Sequence, residues 1–143
     1  MPGDLYRFAE PPPASSPILV NGKPVASSAA KGYARIRRRW QKGDVVQLDL
    51  PMPIHRVLAN DAVAEDRGKA AIQRGPIVYC LEALDNGGHV SGTQIPLDAE
   101  LHHEFRSDLL GGVEVITGPG FLAVPYYAWN NRGKGEMAVW IPY

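Results

Sequence analysis

Tyr33-Ala34-Arg35-Ile36-Arg37-Arg38-Arg39-Trp40, followed by Gln41-Lys42-Gly43-Asp44 and Val45-Val46-Gln47-Leu48-Asp49-Leu50, decides the fold class. Period two sorts the first run into Ala34, Ile36, Arg38 and Trp40 on one face and Tyr33, Arg35, Arg37 and Arg39 on the other. The glycine-containing link turns the chain. In the second run Val46, Leu48 and Leu50 point inward, while Gln47 and Asp49 face water opposite the arginines. This pattern predicts a β-hairpin over residues 32–50. Arg38 is its odd member, because it shares the apolar face with Ile36 and Trp40. A buried guanidinium is costly unless paired, so Arg38 is expected to meet a carboxylate or lie on an aromatic ring, with Arg38 and Trp40 as structural residues.

Working outward, Ile18-Leu19-Val20 and Lys23-Pro24-Val25 flank Asn21-Gly22, a pair suited to the two positive-φ positions of a type I′ turn, so a second hairpin is expected there. Before it, residues 4–9 read as a short strand and the proline-rich stretch 10–17 as a loop or spacer. After it, residues 54–59 read as an edge strand and 60–68 as a polar loop. Residues 69–73 resume a strand that Arg74-Gly75-Pro76 interrupts at a bulge or corner, giving Gly75 and Pro76 a structural role. Ile77-Val78-Tyr79-Cys80-Leu81 is apolar on both faces and should be a central strand covered on both sides. Asp85-Asn86-Gly87-Gly88 is the best internal boundary. Beyond it, strands are expected at 93–97, 121–129 and 136–141, with a hairpin joining the segment 101–110 to Val113-Glu114-Val115-Ile116. The fold class is all-β, with mostly antiparallel β-sandwich sheets and little or no helix.

The 143 residues, with 15 Gly and 13 Pro between short apolar runs, suit one domain or two small packed ones. Fifteen basic and fifteen acidic side chains give a formal net charge of +0, which argues against nucleic acid as a partner. Met1 is followed by Pro2-Gly3-Asp4 with no basic, apolar run of a signal peptide, and no stretch is long enough to cross a bilayer, so a membrane role is not expected and the cytoplasm is the default location.

Chemistry finds few footholds. His102-His103-Glu104 is the densest set of metal-type ligands, but adjacent strand residues point to opposite faces, so ordinary surface residues are the better reading and no metal or cofactor is expected. Asp61, Glu65 and Asp66 share one loop and Asp98 and Glu100 another. Nothing beside them supplies the shifted pKa that an acid–base pair needs, so no catalytic residue is assigned. Cys80, the single cysteine, sits among Val78, Tyr79 and Leu81 and reads as a small buried apolar side chain rather than a thiolate. Tyr126, Tyr127 and Trp129 precede a Gly/Asn-rich loop and are weak candidates for a sugar-stacking platform, with core packing as the stronger rival.

A resemblance adds context. The residues Gly32-Tyr33, Ile36, Arg38, Trp40, Gly43-Asp44 and 48–53 carry its first part, followed by Asp66-Arg67-Gly68 and Gln73-Arg74-Gly75-Pro76-Ile77-Val78-Tyr79-Cys80. Further on come Phe105-Arg106, 108–113, Pro125-Tyr126-Tyr127-Ala128-Trp129, Arg132-Gly133 and Gly135-Glu136-Met137. Together they resemble the C-terminal region of glycoside hydrolase family 127, the β-L-arabinofuranosidase-like enzymes. The resemblance implies that the catalytic residues belong to an N-terminal (α/α)₆ barrel preceding this region, and that Cys80 is neither nucleophile nor zinc ligand. With the boundary read at Asp85, residues 1–84 are expected to form a first β-sandwich portion and 85–143 a second, smaller one, and the resemblance implies that the first is incomplete at its start. The expected role is a non-catalytic accessory scaffold, not an enzyme, with the catalytic barrel as partner. Open strand edges add the expectation of a homo-oligomer. Carbohydrate binding through the exposed aromatics is the alternative, and a stand-alone glycosidase a further one.

Overall fold

Asn21 and Gly22, at φ +52° and +74°, close the first hairpin, because two consecutive positive-φ residues match the right-handed twist of the strands they join. They connect β2 (Ile18–Val20) to β3 (Lys23–Pro24). The computed structural model describes residues 5–11 and 17–143. The expectations for residues 1–4 and for the prolines at 12 and 13 lie outside those residues. Every strand pair is antiparallel. The helical elements among the described residues are 3-10 turns at Ala64–Asp66, Ala83–Asp85 and Tyr126–Ala128. No helix among them is long and apolar enough to cross a membrane.

The chain divides into two compact units, residues 13–51 and residues 1–12 together with 52–143. This differs from the expected division at 84/85. Asp85 lies in a 3-10 turn inside the larger unit, and β12 (Phe121–Pro125) pairs directly with β9 (Ile77–Glu82), so that boundary would cut through one sheet.

In the smaller unit the hairpin expected over 32–50 does not form. β5 (Tyr33–Arg35) folds back on β4 (Ser28–Ala30) around Lys31 and Gly32, both at positive φ. A two-residue loop closes this local pairing, which therefore wins over the longer link at 41–44. β6 (Val46–Leu48) instead pairs with β2, placing Ile18 opposite Leu48 and Val20 opposite Val46. Asn21 fixes that register. Its side chain accepts from the Val45 amide at 2.9 Å and donates to Asp44 at 2.8 Å. Without the hairpin the inward face is lost: Trp40, Val46, Leu48 and Leu50 are all at least 49% exposed, and Arg38 is exposed as well. Val20 is the buried hydrophobic residue among the described residues of this unit. Residues 13–51 hold seven Lys and Arg against two Asp and Glu, so the neutral chain is a sum of a basic unit and an acidic one.

The larger unit carries a nine-stranded sheet system in which β1 (Tyr6–Phe8), β7 (Ile54–Ala59), β8 (Lys69–Arg74), β9, β12, β11 (Val113–Gly118) and β10 (His102–Arg106) follow one another. β8 and β9 pair only near their shared turn, Gln73 with Val78 and Arg74 with Ile77. They then diverge. β14 (Ile141–Pro142) takes the vacated edge of β8, and β13 (Met137–Ala138) joins β9. The result is a β-sandwich whose two sheets are hinged at the 74–77 corner. Arg74-Gly75-Pro76 is thus the hairpin turn itself, not a bulge within a strand. Gly75 takes φ +55° there, and a Cβ on it would come within 2.9 Å of Met52 Cε.

Between the sheets lie Ile72, Tyr79, Leu81, Ile95, Ile116, Phe121, Ala123 and Ile141. Cys80, Val113, Val115 and Val124 form a second cluster, with Leu109, Leu110, Trp129 and Met137 packed against it. Because alternate residues of β9, β11 and β12 enter the two clusters, their sheet is covered on both faces, as the run 77–81 predicts. The 101–116 hairpin forms as expected, with His102 opposite Thr117. Four strand expectations change, the first being 136–141, which is not one strand but β13 and β14 on different partners. β7 is internal, flanked by β1 and β8, because β1 covers its edge. Residues 93–97 form no strand, although Ile95 is fully buried and its amide donates to the Pro142 carbonyl at 2.8 Å. The 121–129 strand stops at Pro125 and continues as a 3-10 turn.

β1 is clamped at its end. The Glu10 carboxylate accepts from the Arg56 amide and from Arg56 Nη1, both at 2.9 Å. Arg56 Nη2 also donates to the carbonyls of Pro96 and Ala99. Burial would raise the Glu10 pKa, but the hydrogen bonds from Arg56 outweigh it and hold the carboxyl below its ordinary value of 4.5. Phe8 stacks on buried His55 at 4.3 Å.

Candidate functional site

The aromatic stretch at 126–129 is positioned by charge. β9 ends at Glu82, whose side chain is 5% exposed, and the following 3-10 turn presents Asp85 beside it. Arg132, arriving from the loop after Trp129, donates from Nη2 to Glu82 at 2.6 Å and from Nη1 to Asp85 at 2.6 Å, with a second contact from Nη2 to Asp85. The Asn130 amide occupies the other Glu82 oxygen at 2.8 Å. The hydrogen bonds to Asp85, set against burial, hold the guanidinium even more firmly protonated than usual. Two carboxylates so fully engaged by donors are anchors rather than acid–base groups. Asn86 completes the anchor: its Oδ1 accepts from the Leu122 amide, and its Nδ2 donates to the carbonyls of Glu82 and Leu122.

On this base Trp129 packs against the Cys80–Val124 cluster, and Tyr126 stacks on it with ring centroids 6.2 Å apart. Tyr127 is 70% exposed, the most open of the three. The candidates are therefore brought together, but Trp129 is engaged by the core and Tyr127 alone stands well clear of it.

Arg38 reaches both kinds of partner expected of it, though from the surface. Its guanidinium lies 5.2 Å from the Trp40 ring centroid and its Nη2 is 3.5 Å from Asp44. Hydrogen bonds from the Gln41 amide and Asn21, aided by Arg38, hold the Asp44 carboxyl below its usual range. Burial pushes the Cys80 thiol up to about 12, which removes thiolate chemistry at neutral pH. His103 pairs with Glu114 at 3.1 Å, and His102 lies 3.8 Å from Glu100. No group of three or more metal-type ligands occurs among the described residues. The Glu82–Asp85–Arg132 anchor and the Glu10–Arg56 clamp escape sequence reading. Each joins residues more than forty positions apart, and no local spacing signals that.

This geometry defines a class: an all-β region whose charged clusters hold loops in place. The chain belongs to glycoside hydrolase family 127. Residues 54–142 match the glycoside hydrolase family 127 C-terminal domain, and residues 13–52 the family's beta-L-arabinofuranosidase middle domain. Both are non-catalytic domains of the family. A non-reducing end beta-L-arabinofuranosidase of Bifidobacterium longum is 32% identical over 153 aligned residues, covering 85% of this chain and 23% of that protein. Among solved structures, a family 127 beta-L-arabinofuranosidase from Geobacillus stearothermophilus is 44% identical with a TM-score of 0.83, over 88% of this chain and 24% of the other. A family 127 beta-arabinofuranosidase is 36% identical with a TM-score of 0.91, over 99% and 25%. The chain thus spans about a quarter of the length of the relatives it matches. The larger unit and the C-terminal domain match nearly coincide, except that β1 lies ahead of the matched residues.

Proposed function

We propose that this chain is an accessory scaffold of a β-L-arabinofuranosidase-like glycoside hydrolase, bracing a catalytic barrel and mediating self-association. The observation that carries this reading is the open sheet of the smaller unit. Among the described residues β6 pairs with β2 alone, leaving its other edge open, and Val45, Val46, Leu48 and Leu50, within and flanking it, are each more than half exposed. A strand edge with unpaired amides and apolar neighbours is stabilised by another chain segment laid along it.

The test mixes this chain with the separately produced catalytic barrel of a family 127 arabinofuranosidase. Co-elution, a raised melting temperature of the barrel, and loss of both on Val46→Lys with Leu48→Lys are expected. A barrel indifferent to the chain, together with a monomer in light scattering at high concentration, would overturn the reading. Aryl-arabinofuranoside turnover is expected only when the barrel is present.

A further inference from the structure

A cleft of about 410 Å³ opens in the larger unit beside the loop at residues 90–93, a size suited to a small ligand. Ser91, Thr93, Glu136, Met137 and Trp140 line it. Its carboxylate, Glu136, is held in place with one oxygen unspent. Glu136 accepts from the Val90 amide at 3.0 Å through Oε2, and its backbone carbonyl accepts from the Ala83 amide at 2.9 Å. The second carboxylate oxygen, the hydroxyls of Ser91 and Thr93, and the Trp140 indole N–H have no hydrogen-bond partner among the described residues. Trp140 is itself braced by a stack on Tyr6, with centroids 5.6 Å apart.

We infer that this cleft binds one neutral sugar residue. A sugar ring presents an apolar C–H face and a rim of hydroxyls that both donate and accept. The indole offers the flat apolar wall, Glu136 accepts from sugar hydroxyls, and Ser91, Thr93 and the indole N–H donate to them. The carboxylate disfavours phosphorylated or uronic sugars, because no cation lines the cleft to offset it. Trp140 is the aromatic assigned to the sugar, since Trp129 is engaged by the core while Trp140 lines a cleft that also carries the Ser91 and Thr93 hydroxyls and Glu136. The inference rests on the glycoside-hydrolase reading only for the choice of a sugar as ligand.

The experiment titrates the chain with methyl β-L-arabinofuranoside, D-xylose and D-galactose while following amide and indole N–H resonances. Saturable shifts are expected at 91–93, Glu136 and Trp140 at millimolar sugar. Glu136→Gln, which can still accept from Val90, should weaken binding about tenfold without changing the melting temperature. Trp140→Ala should abolish it; if that variant fails to fold, the wild-type and Glu136→Gln titrations carry the test. Three results would overturn the inference: no saturable shift with any sugar, shifts centred on Tyr126 and Tyr127, or equal shifts with methylammonium, which would mark a cation site. Binding to the catalytic barrel is measured separately, so loss of one reading does not remove the other.

Discussion

Arg132 donates to Glu82 at 2.6 Å across fifty residues of sequence, and the same guanidinium engages Asp85. One cation therefore serves two largely buried carboxylates. Arg132→Ala leaves both without their charge partner and is expected to cost about 3–5 kcal/mol, seen as a lower midpoint in urea denaturation. Arg132→Lys keeps the charge but not the fork, and should fall between. A loss under about 1 kcal/mol for Arg132→Ala would count against the anchor.

The Glu10–Arg56 clamp predicts a pH signature. The folded pKa of Glu10 lies below its ordinary value of 4.5, so the clamp contributes fully above that value and is lost as pH falls through the folded value. Glu10→Gln should be less stable than the parent by about 1–2 kcal/mol at pH 7. The gap should narrow on acidification below pH 4.5, and thermal melts at pH 7, 5 and 3 measure it.

Gly75→Ala places a side chain at φ +55° and against Met52. A loss of about 1–2 kcal/mol is expected, since a positive φ strains any L residue whatever space is available. Calorimetry of the variant checks this.

Arg38→Ala is expected to have a small effect. The hairpin that would bury Arg38 does not form, and its pair with Asp44 is long, at 3.5 Å, with the Arg38 side chain 31% exposed. Exposed ion pairs and cation–π contacts contribute under about 1 kcal/mol each, so the melting temperature should move only slightly.

Cys80 should resist alkylation by iodoacetamide in the native chain at pH 8 and react fully in denaturant. Its thiol is buried and titrates at about 12. Mass spectrometry distinguishes the two states.

What the sequence reveals depends on range. Asn21-Gly22 and the doubly apolar run 77–81 announce their structures because turn chemistry and alternation are local. The stretch 33–50 misleads for a related reason: its alternation is genuine, but Lys31-Gly32 supplies a closer turn and β2 a better partner for β6. The division at 84/85 fails because flexible residues can mark a turn within a sheet as readily as a boundary. At the candidate site, Tyr126, Tyr127 and Trp129 are visible as aromatics, yet only packing shows which ring is engaged by the core. Glu136 and Trp140 converge through the chain's final strands and the 90–93 loop, a juxtaposition no spacing rule encodes.

β1 and β7 are adjacent antiparallel strands, with Phe8 opposite Val57 and the Ala9 amide bonded to the Arg56 carbonyl at 2.8 Å. Residues 13–51 are therefore the loop of a hairpin, grown to the size of a separate unit. Such an insertion is excisable in principle: a short turn could join Pro11 to Met52 without disturbing the ladder. A minimal C-terminal domain trimmed to start at Ile54 would forfeit its outermost strand and expose the flank of β7. One that retains residues 5–11, joined directly to 52, would keep its seam closed.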